Sequence, residues 1–314
     1  MTYLNLQILF AEIRKILAPL APRGEDPVRA ARLIITHHTG FDTAAQLAVP
    51  DTPITQDQAE AITNWATRHA AGEPLSRLRG KREFYGLEFA LSPDTLDPRP
   101  ETELIVLAAL SHLKTQAATP AKAGAQLSSS LWTPASAGEA TPTTPTILDL
   151  GTGSGCIPIT LLHHVPTLRA TATDINQDAL ITAAQNAARH SVDNRITFIT
   201  SDWFDQIPAN LRFDVITCNP PYIPSSVIET LSPAVKNWDP ILALDGGKDG
   251  LAPYKKILSG LDTHLSPGGI ALLEVGIDQA ADVTRLAIKY GLDAHPTIVD
   301  SAGIPRVIVV GLPQ

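Results

Sequence analysis

Near the start of the chain, large apolar residues recur at steps of three and four: Leu4, Ile8, Leu9, Ile13, Ile16 and Leu17, with Glu12, Arg14 and Lys15 interspersed. That period predicts a helix with one apolar face. A second helix is expected after Pro27, through Ala30, Leu33 and Ile34, and a third over Gln56 to His69, with Thr55 placed as its N-cap. Residues 1–78 therefore predict a small helical domain. From Thr146 the pattern changes. Short apolar runs (TILDLG, RATATD, RITFIT, FDVITCN and GGIALLEV) alternate with helical periods that reach His164 and span Gln177 to His190, Gly250 to Leu265 and Gln279 to Tyr290. Such alternation predicts an α/β domain with a doubly wound sheet, which binds ligands at the carboxyl ends of its strands. The closing runs DAHPTIV and RVIVVGL lack a helix between them, so they predict an antiparallel hairpin at one edge.

Between these regions, Phe84, Leu87, Phe89 and Leu91 alternate around Gly86 and predict a hairpin linker over 79–99. Pro100, followed by Glu101 and Glu103, suits a helix start, where a fixed φ is tolerated and carboxylates meet the positive end of the dipole. The second domain then spans 100–314. Within it, residues 115–145 are mainly Ala, Thr, Ser, Pro and Gly; they bury too little surface to offset chain entropy and predict a surface insertion.

Composition bears on partners more than on fold. Lys and Arg number 24 against 32 Asp and Glu, a net charge of -8, the wrong sign for gripping phosphate backbones along a broad surface. The 2 cysteines, Cys156 and Cys218, cannot build a disulfide framework and fit a reducing cytosol. No basic stretch followed by an apolar run and cleavage site marks a leader, and no apolar stretch approaches the ~18 residues of a membrane span. A cytoplasmic protein is expected. His37 and His38, like His163 and His164, are adjacent and so diverge on a helix; with neither H-E-x-x-H nor C-x-x-C, no metal site is expected.

Candidate chemistry gathers at the predicted strand ends. DLGTGSG, residues 149–155, places Gly151, Thr152, Gly153, Ser154 and Gly155 between a strand and a helix. Glycine is needed where main chain turns with positive φ and where a ligand lies against bare backbone. A dinucleotide loop runs G-x-G-x-x-G with pyrophosphate on the helix N-terminus; here the spacing is G-x-G-x-G and Asp149 precedes it. A carboxylate there suits a cationic ligand, and S-adenosylmethionine, with positive amino and sulfonium groups, fits. Asp174 ends the next strand, where an acid can accept from both ribose hydroxyls. Asp202 and Trp203 close the third: the acid can accept from an adenine amino group, and the indole offers a flat face to a ligand or joins the core.

Asn219, Pro220, Pro221 and Tyr222 close the fourth strand. The Asn219 side-chain carbonyl and the Pro220 main-chain carbonyl can together accept both N–H bonds of an –NH2 group and turn its nitrogen toward a methyl donor. The prolines stiffen this loop and remove competing donors, and Tyr222 can stack over a planar group.

Together with GEPLSRLRGKREFYGLEF, PRPETE (98–103), ILDLGTGSG, SDWF, CNPPYIP and LALDGGKDGLAPYKKIL, these motifs resemble the protein-glutamine methyltransferases that modify bacterial class I peptide chain release factors. The resemblance covers nearly the whole chain except 115–145. It implies a Rossmann-like class I S-adenosylmethionine-dependent methyltransferase domain with a mixed seven-stranded sheet, joined by a β-hairpin to an N-terminal helical bundle that recognises substrate. The implied reaction moves a methyl group from S-adenosyl-L-methionine to the side-chain amide of the glutamine in a Gly-Gly-Gln motif, leaving S-adenosyl-L-homocysteine. The glycine loop, Asp174, Trp203 and Asn219 are implied to contact the cofactor, and Asn219 to Tyr222 to hold the glutamine. Glu101, Thr102 and Glu103 favour this branch over sister enzymes acting on a ribosomal protein, which carry a different tail after Pro-Arg.

One departure is Asp97, where the family usually has an aliphatic residue. A carboxylate buried there unpaired is costly, so pairing with Arg99 or exposure to solvent is expected. Two alternatives stand beside this reading. One is an amino-methyltransferase of a nucleic-acid base, whose –NH2 suits the same loop although the net charge opposes it, or of a ribosomal-protein glutamine. The other is a non-catalytic protein that clamps a release factor without modifying it.

Overall fold

The computed structural model describes residues 5–118 and 144–313. Of the insertion expected over 115–145, residues 119–143 lie outside the described residues, and 115–118 continue a helix. The chain forms two compact units. One comprises the described chain up to Glu83, Glu88–Asp97 and Ser226–Leu244; the other comprises Phe84–Leu87, the described parts of Pro98–Ser225, and the chain from Asp245 onward. Ser226–Leu244 lies within the sequence-based span 100–314, yet it packs in the first unit. Its helices, Ser225–Ile228 and Pro233–Lys236, are one turn long, too short for any period to announce them.

The first unit is built on α1 (Leu6–Leu17), α2 (Pro27–Thr39), α3 (Thr43–Ala48), α4 (Gln56–Ala70) and α5 (Leu75–Arg79). Asn5 caps α1 by accepting the Ile8 N–H at 2.9 Å, and Thr55 with Gln58 forms a capping box on α4. The buried stripe of α1 is Leu6, Leu9, Ile13 and Leu17, and the expected Ile8 is 42% exposed. In α2 the buried face is Ala30, Ala31, Ile34 and Ile35, with Leu33 turned outward. Both corrections have one cause. A period shows that an apolar stripe exists, but where apolar residues adjoin, the neighbouring helices decide which of them face inward. The helices α3 and α5, of 6 and 5 residues, were not expected, for want of a full period.

Asp97 is only 4% exposed, which overturns the expectation of a solvent position. Ser76 donates its hydroxyl to Oδ2, Arg82 approaches Oδ1 at 3.6 Å, and the Asp97 N–H donates to Asp239. Asp239 in turn carries Arg77 at 2.7 Å, with 7% and 2% of the two side chains exposed. A buried acid is tolerated here because donors converge on it.

A hairpin of β1 (Lys81–Phe84) and β2 (Leu87–Ala90) turns at Tyr85 and Gly86, whose φ values of 51° and 76° make the primed turn that matches strand twist. In the second unit a short turn, Pro100–Thr102, leads into α6 (Glu103–Ala118), and the Glu103 carboxylate accepts the Tyr85 N–H at 2.9 Å.

The sheet follows: β3 (Thr146–Leu150), α7 (Cys156–His164), β4 (Arg169–Asp174), α8 (Gln177–Arg189), β5 (Ile196–Thr200), β6 (Phe213–Cys218), α9 (Ala252–His264), β7 (Leu265–Glu274), α10 (Ala280–Lys289), β8 (Asp293–Ala294), β9 (Ile298–Val299) and β10 (Pro305–Gly311). The strand order is β5-β4-β3-β6-β7-β10-β8, with β9 also on β10. Strands β5 through β7 run parallel and β10 is antiparallel to β7. Because β8 and β9 pair with successive stretches of β10, they occupy one edge position, and the mixed sheet has seven positions. The final strand thus slots between β7 and the edge pieces. Tyr254, Ile257 and Leu261 of α9 pack with Leu148, Ile216 and Leu273 of the sheet in the core. Cys156 and Cys218 are buried, and burial pushes the Cys156 thiol up to about 12, so both are packing groups.

Candidate active site

Parallel pairing aligns the carboxyl ends of β3, β4, β5 and β6. Opposite Leu150 stand Thr173 and Cys218, so the loops that follow these strands open on one edge. After β3 the chain turns through Gly151, Gly153 and Gly155 at φ of 67°, 54° and 78°, a region that other residues enter only with strain. Thr152 and Ser154 are buried between them. Thr152 N–H donates to Thr173 O at 2.8 Å and Gly153 N–H to Asp174 Oδ2 at 2.9 Å, which fastens the loop to β4. Gly155 has a packing reason too, since a Cβ there would lie 2.7 Å from Ile159 Cδ1.

Beneath this loop Asp149 is 1% exposed. The register opposes it to Thr217, whose hydroxyl donates to Oδ1 at 2.6 Å. Burial pushes the carboxyl up to about 7, with the Thr152 and Thr217 hydroxyls pulling it down. Thr152 lies near without a well-directed bond, and Oδ2 has no hydrogen-bond partner. A buried carboxylate oxygen left in this state, beside bare glycine main chain, is suited to a cationic group.

Asp174 sits at the end of β4 as expected. Gly153 N–H engages one of its oxygens and Asn176 N–H the other, each at 2.9 Å, and each oxygen keeps a lone pair for a further donor. Burial raises its carboxyl despite those bonds. At Asp202, Oδ2 accepts from Lys256 Nζ at 2.6 Å. Trp203 packs on the core, and its Cζ3 lies 3.6 Å from where a Gly151 Cβ would stand, so the indole leans over the glycine loop. Its φ of 54° is held by Ser201, whose hydroxyl donates to Trp203 O.

The Asn219 loop is fixed from three sides. Asn219 Nδ2 donates to the Thr102 hydroxyl oxygen at 3.0 Å, which leaves Oδ1 as the free end of the amide. Gln279 Nε2 donates to Tyr222 O at 2.9 Å while its Oε1 receives Gly276 N–H. Gly246 and Gly250, from the segment DGGKDG (245–250), let main chain pass against the loop. A Cβ on Gly246 would come 2.9 Å from Pro221 O, and one on Gly250 would collide with Tyr222 O. Among the described residues no backbone N–H donates to the Pro220 carbonyl. The Tyr222 hydroxyl reaches Glu274 Oε1 at 3.4 Å, and burial beside that acid pushes the phenol well up.

Glu274, Gln279 and Lys256 join the site from outside the residues expected there, and Thr102, expected only as a mark of the family branch, anchors Asn219. The only signal for Glu274 was an acid closing an apolar run at a strand's carboxyl end.

A model of the PrmC N-terminal domain matches residues 13–80, and one of the Methyltransferase small domain matches residues 136–231. A release factor glutamine methyltransferase of Agrobacterium fabrum is 40% identical over 90% of this chain and 90% of its own length. Another, from Cereibacter sphaeroides, is 37% identical over 96% of this chain and 97% of its own. The chain belongs to the release factor glutamine methyltransferase family. Among solved structures, the hMettl16 catalytic domain in complex with an RNA hairpin aligns with a TM-score of 0.53 at 14% identity, over 79% of this chain and 84% of that one, a likeness of fold.

For a release factor glutamine methyltransferase the cofactor is S-adenosyl-L-methionine. The residues present fit it: a buried carboxylate oxygen without a partner, Asp149 Oδ2, bare main chain at Gly151 and Gly153, and lone pairs at Asp174.

Proposed function

We infer that this chain transfers a methyl group from S-adenosyl-L-methionine to the side-chain amide nitrogen of a release-factor glutamine. The observation that carries this reading is the Asn219 amide, fastened through its NH2 to Thr102 so that a carbonyl is what it offers. An acceptor with two N–H bonds, such as a glutamine amide, meets two carbonyl oxygens in Asn219 Oδ1 and Pro220 O. An acceptor without them does not.

In this reading Asp149 receives the ammonium of the cofactor, the backbone of Gly151 to Gly155 lies along it, Asp174 takes the ribose hydroxyls, and Trp203 with Asp202 flanks the adenine. When bound, the cofactor supplies an electrophilic methyl carbon on a positive sulfur. Asn219 and Pro220 hold the glutamine nitrogen so that it faces that carbon, and by accepting hydrogen bonds from both N–H groups they favour a nitrogen losing its planarity. Pro221 and Tyr222 enclose the planar amide and exclude water. No strong base is required, because the methylated nitrogen is acidic enough to pass its proton to water. Orientation is the main contribution, worth several kcal/mol in well-aligned reactions.

The acceptors proposed are class I peptide chain release factors, at the glutamine of the Gly-Gly-Gln motif, and the setting is the cytoplasm. Among the described residues no helix is long and apolar enough to cross a membrane. Incubation with cofactor and release factor, followed by peptide mapping, tests the reading. The expected result is a gain of one methyl group on that glutamine, and transfer to duplex DNA or to no macromolecule overturns it.

A further inference from the structure

A buried polar chain joins the Asn219 loop to the entrance of α6. Glu274 ends β7, and pairing of Cys218 with Leu273 sets it beside the start of the loop. It is 2% exposed, and its carbonyl receives the Tyr254 hydroxyl at 2.7 Å. Its carboxylate receives the Tyr222 hydroxyl on Oε1, and the Thr102 hydroxyl faces it. Oε2 is buried without a well-directed donor. The Thr102 oxygen is already occupied as acceptor by Asn219 Nδ2.

Bonding capacity fixes the direction of this chain. A carboxylate only accepts, whereas a hydroxyl has one proton to give and lone pairs to receive with. The Thr102 proton is therefore drawn toward Glu274, its oxygen is left to accept, and Asn219 must present an N–H to it. An Asn side chain is nearly symmetric in shape, so without such an anchor the reversed amide fits the same space. Reversed, it would aim N–H donors at the N–H donors of an incoming amide.

We propose that Glu274 and Thr102 are positioning residues that set the polarity of the Asn219 amide, so that its carbonyl and not its NH2 is offered to the acceptor. The proposal rests on the function inferred above. Glu274 is faced by Glu101 and Thr102 from the helix entrance, Tyr222 from the loop and Arg306 from β10, with Tyr254, Cys218 and Cys156 nearby. Burial, with Glu101 adding to it, pushes the carboxyl up to about 7, against Thr102, Tyr222 and Arg306. A protonated Glu274 can donate to Thr102 and reverse the chain, so the polarity is held best on the alkaline side.

The test uses the full chain as wild type, Thr102→Val, Thr102→Ser and Glu274→Gln, with release-factor methylation followed at saturating cofactor. Thr102→Val keeps shape and loses the hydroxyl; Thr102→Ser keeps the hydroxyl. We expect Thr102→Val and Glu274→Gln to lower kcat by about 100-fold, the scale of a misplaced reacting group, with KM for release factor little changed, and Thr102→Ser to recover most of the rate. In parallel, the side-chain amide signals of Asn219, identified by their loss in Asn219→Asp, are followed by NMR without cofactor or substrate. In wild type they should move with pH around about 7, and in Glu274→Gln they should not. Equal losses in Thr102→Ser and Thr102→Val, or Asn219 signals indifferent to both pH and Glu274→Gln, overturn the proposal. If wild type transfers no methyl while those signals still follow Glu274, the inferred function fails and the polarity assignment stands.

Discussion

Two strand ends of the same sheet, with β6 between them, each hold a buried acid, in different surroundings. At the end of β3, Asp149 has one oxygen bonded by Thr217, the other unpartnered, and bare glycine backbone above it. At the end of β7, Glu274 likewise has one oxygen bonded, by Tyr222, and one without a partner, but Thr102 and Arg306 face it in place of bare backbone. Burial pushes both carboxyls up to about 7. The raised values are alike, but the surroundings give the acids different work. The first is a half-made ion pair that a cationic ligand can complete, and the second is a fixture that holds a loop. A shifted titration alone separates neither role from the other.

The sharpest way to break this contrast is at the loop Glu274 serves. Asn219→Ala should lower turnover by about 1,000-fold, the upper range for loss of one preorganised polar contact, while cofactor affinity by calorimetry falls far less. A comparable loss in both would merge the two strand ends into one site.

Stability against pH is next in size. The two carboxyls are raised in the folded state, so between their ordinary range and about 7 the folded protein holds more protons than the unfolded chain. The stabilisation is complete below the unfolded values and is lost as pH rises through about 7. For Glu274, a rise from 4.5 to about 7 at about 1.4 kcal/mol per pH unit sets an upper scale of about 3.5 kcal/mol. Wild type should lose Tm across that window, and Glu274→Gln should flatten the limb in calorimetric scans. A flat wild-type profile would mean that neither acid is buried as described.

Asp149→Asn then sharpens the contrast from the other side. It keeps the shape and removes the charge, so cofactor binding should weaken by about 10- to 100-fold, as loss of a charged hydrogen bond does, with the Asn219 amide signals unmoved. The smallest effect belongs to Lys256→Ala. Its pair with Asp202 is half exposed, so cofactor affinity and stability should change by no more than about 1 kcal/mol.

Much of the scaffold was legible along the chain. The alternation from TILDLG to GGIALLEV announced β3 to β7 and their helices, and Thr55 and Gly86 marked a cap and a turn that the structure contains. What failed was choice among equals. The period of α1 put Ile8 on the apolar face, and packing against α2 and α4 buried Leu6 instead. Asp97 looked misplaced because its partners, Ser76, which donates to its carboxylate, and Asp239, which accepts its N–H, lie 21 and 142 positions away.

The sequence by itself determined which elements form, in what order, and which residues stand at the strand ends, because periods, caps and glycine turns depend on near neighbours. Only the tertiary structure decided that Ser226–Leu244 packs in the first unit, that Lys256 occupies Asp202, and that Thr102 and Glu274 hold the Asn219 loop. Thr102 and Asn219 are 117 positions apart, and Tyr222 and Glu274 are 52 apart. Such partners meet through strand register and core packing, and no local pattern records which distant group a polar side chain will find when the sheet closes.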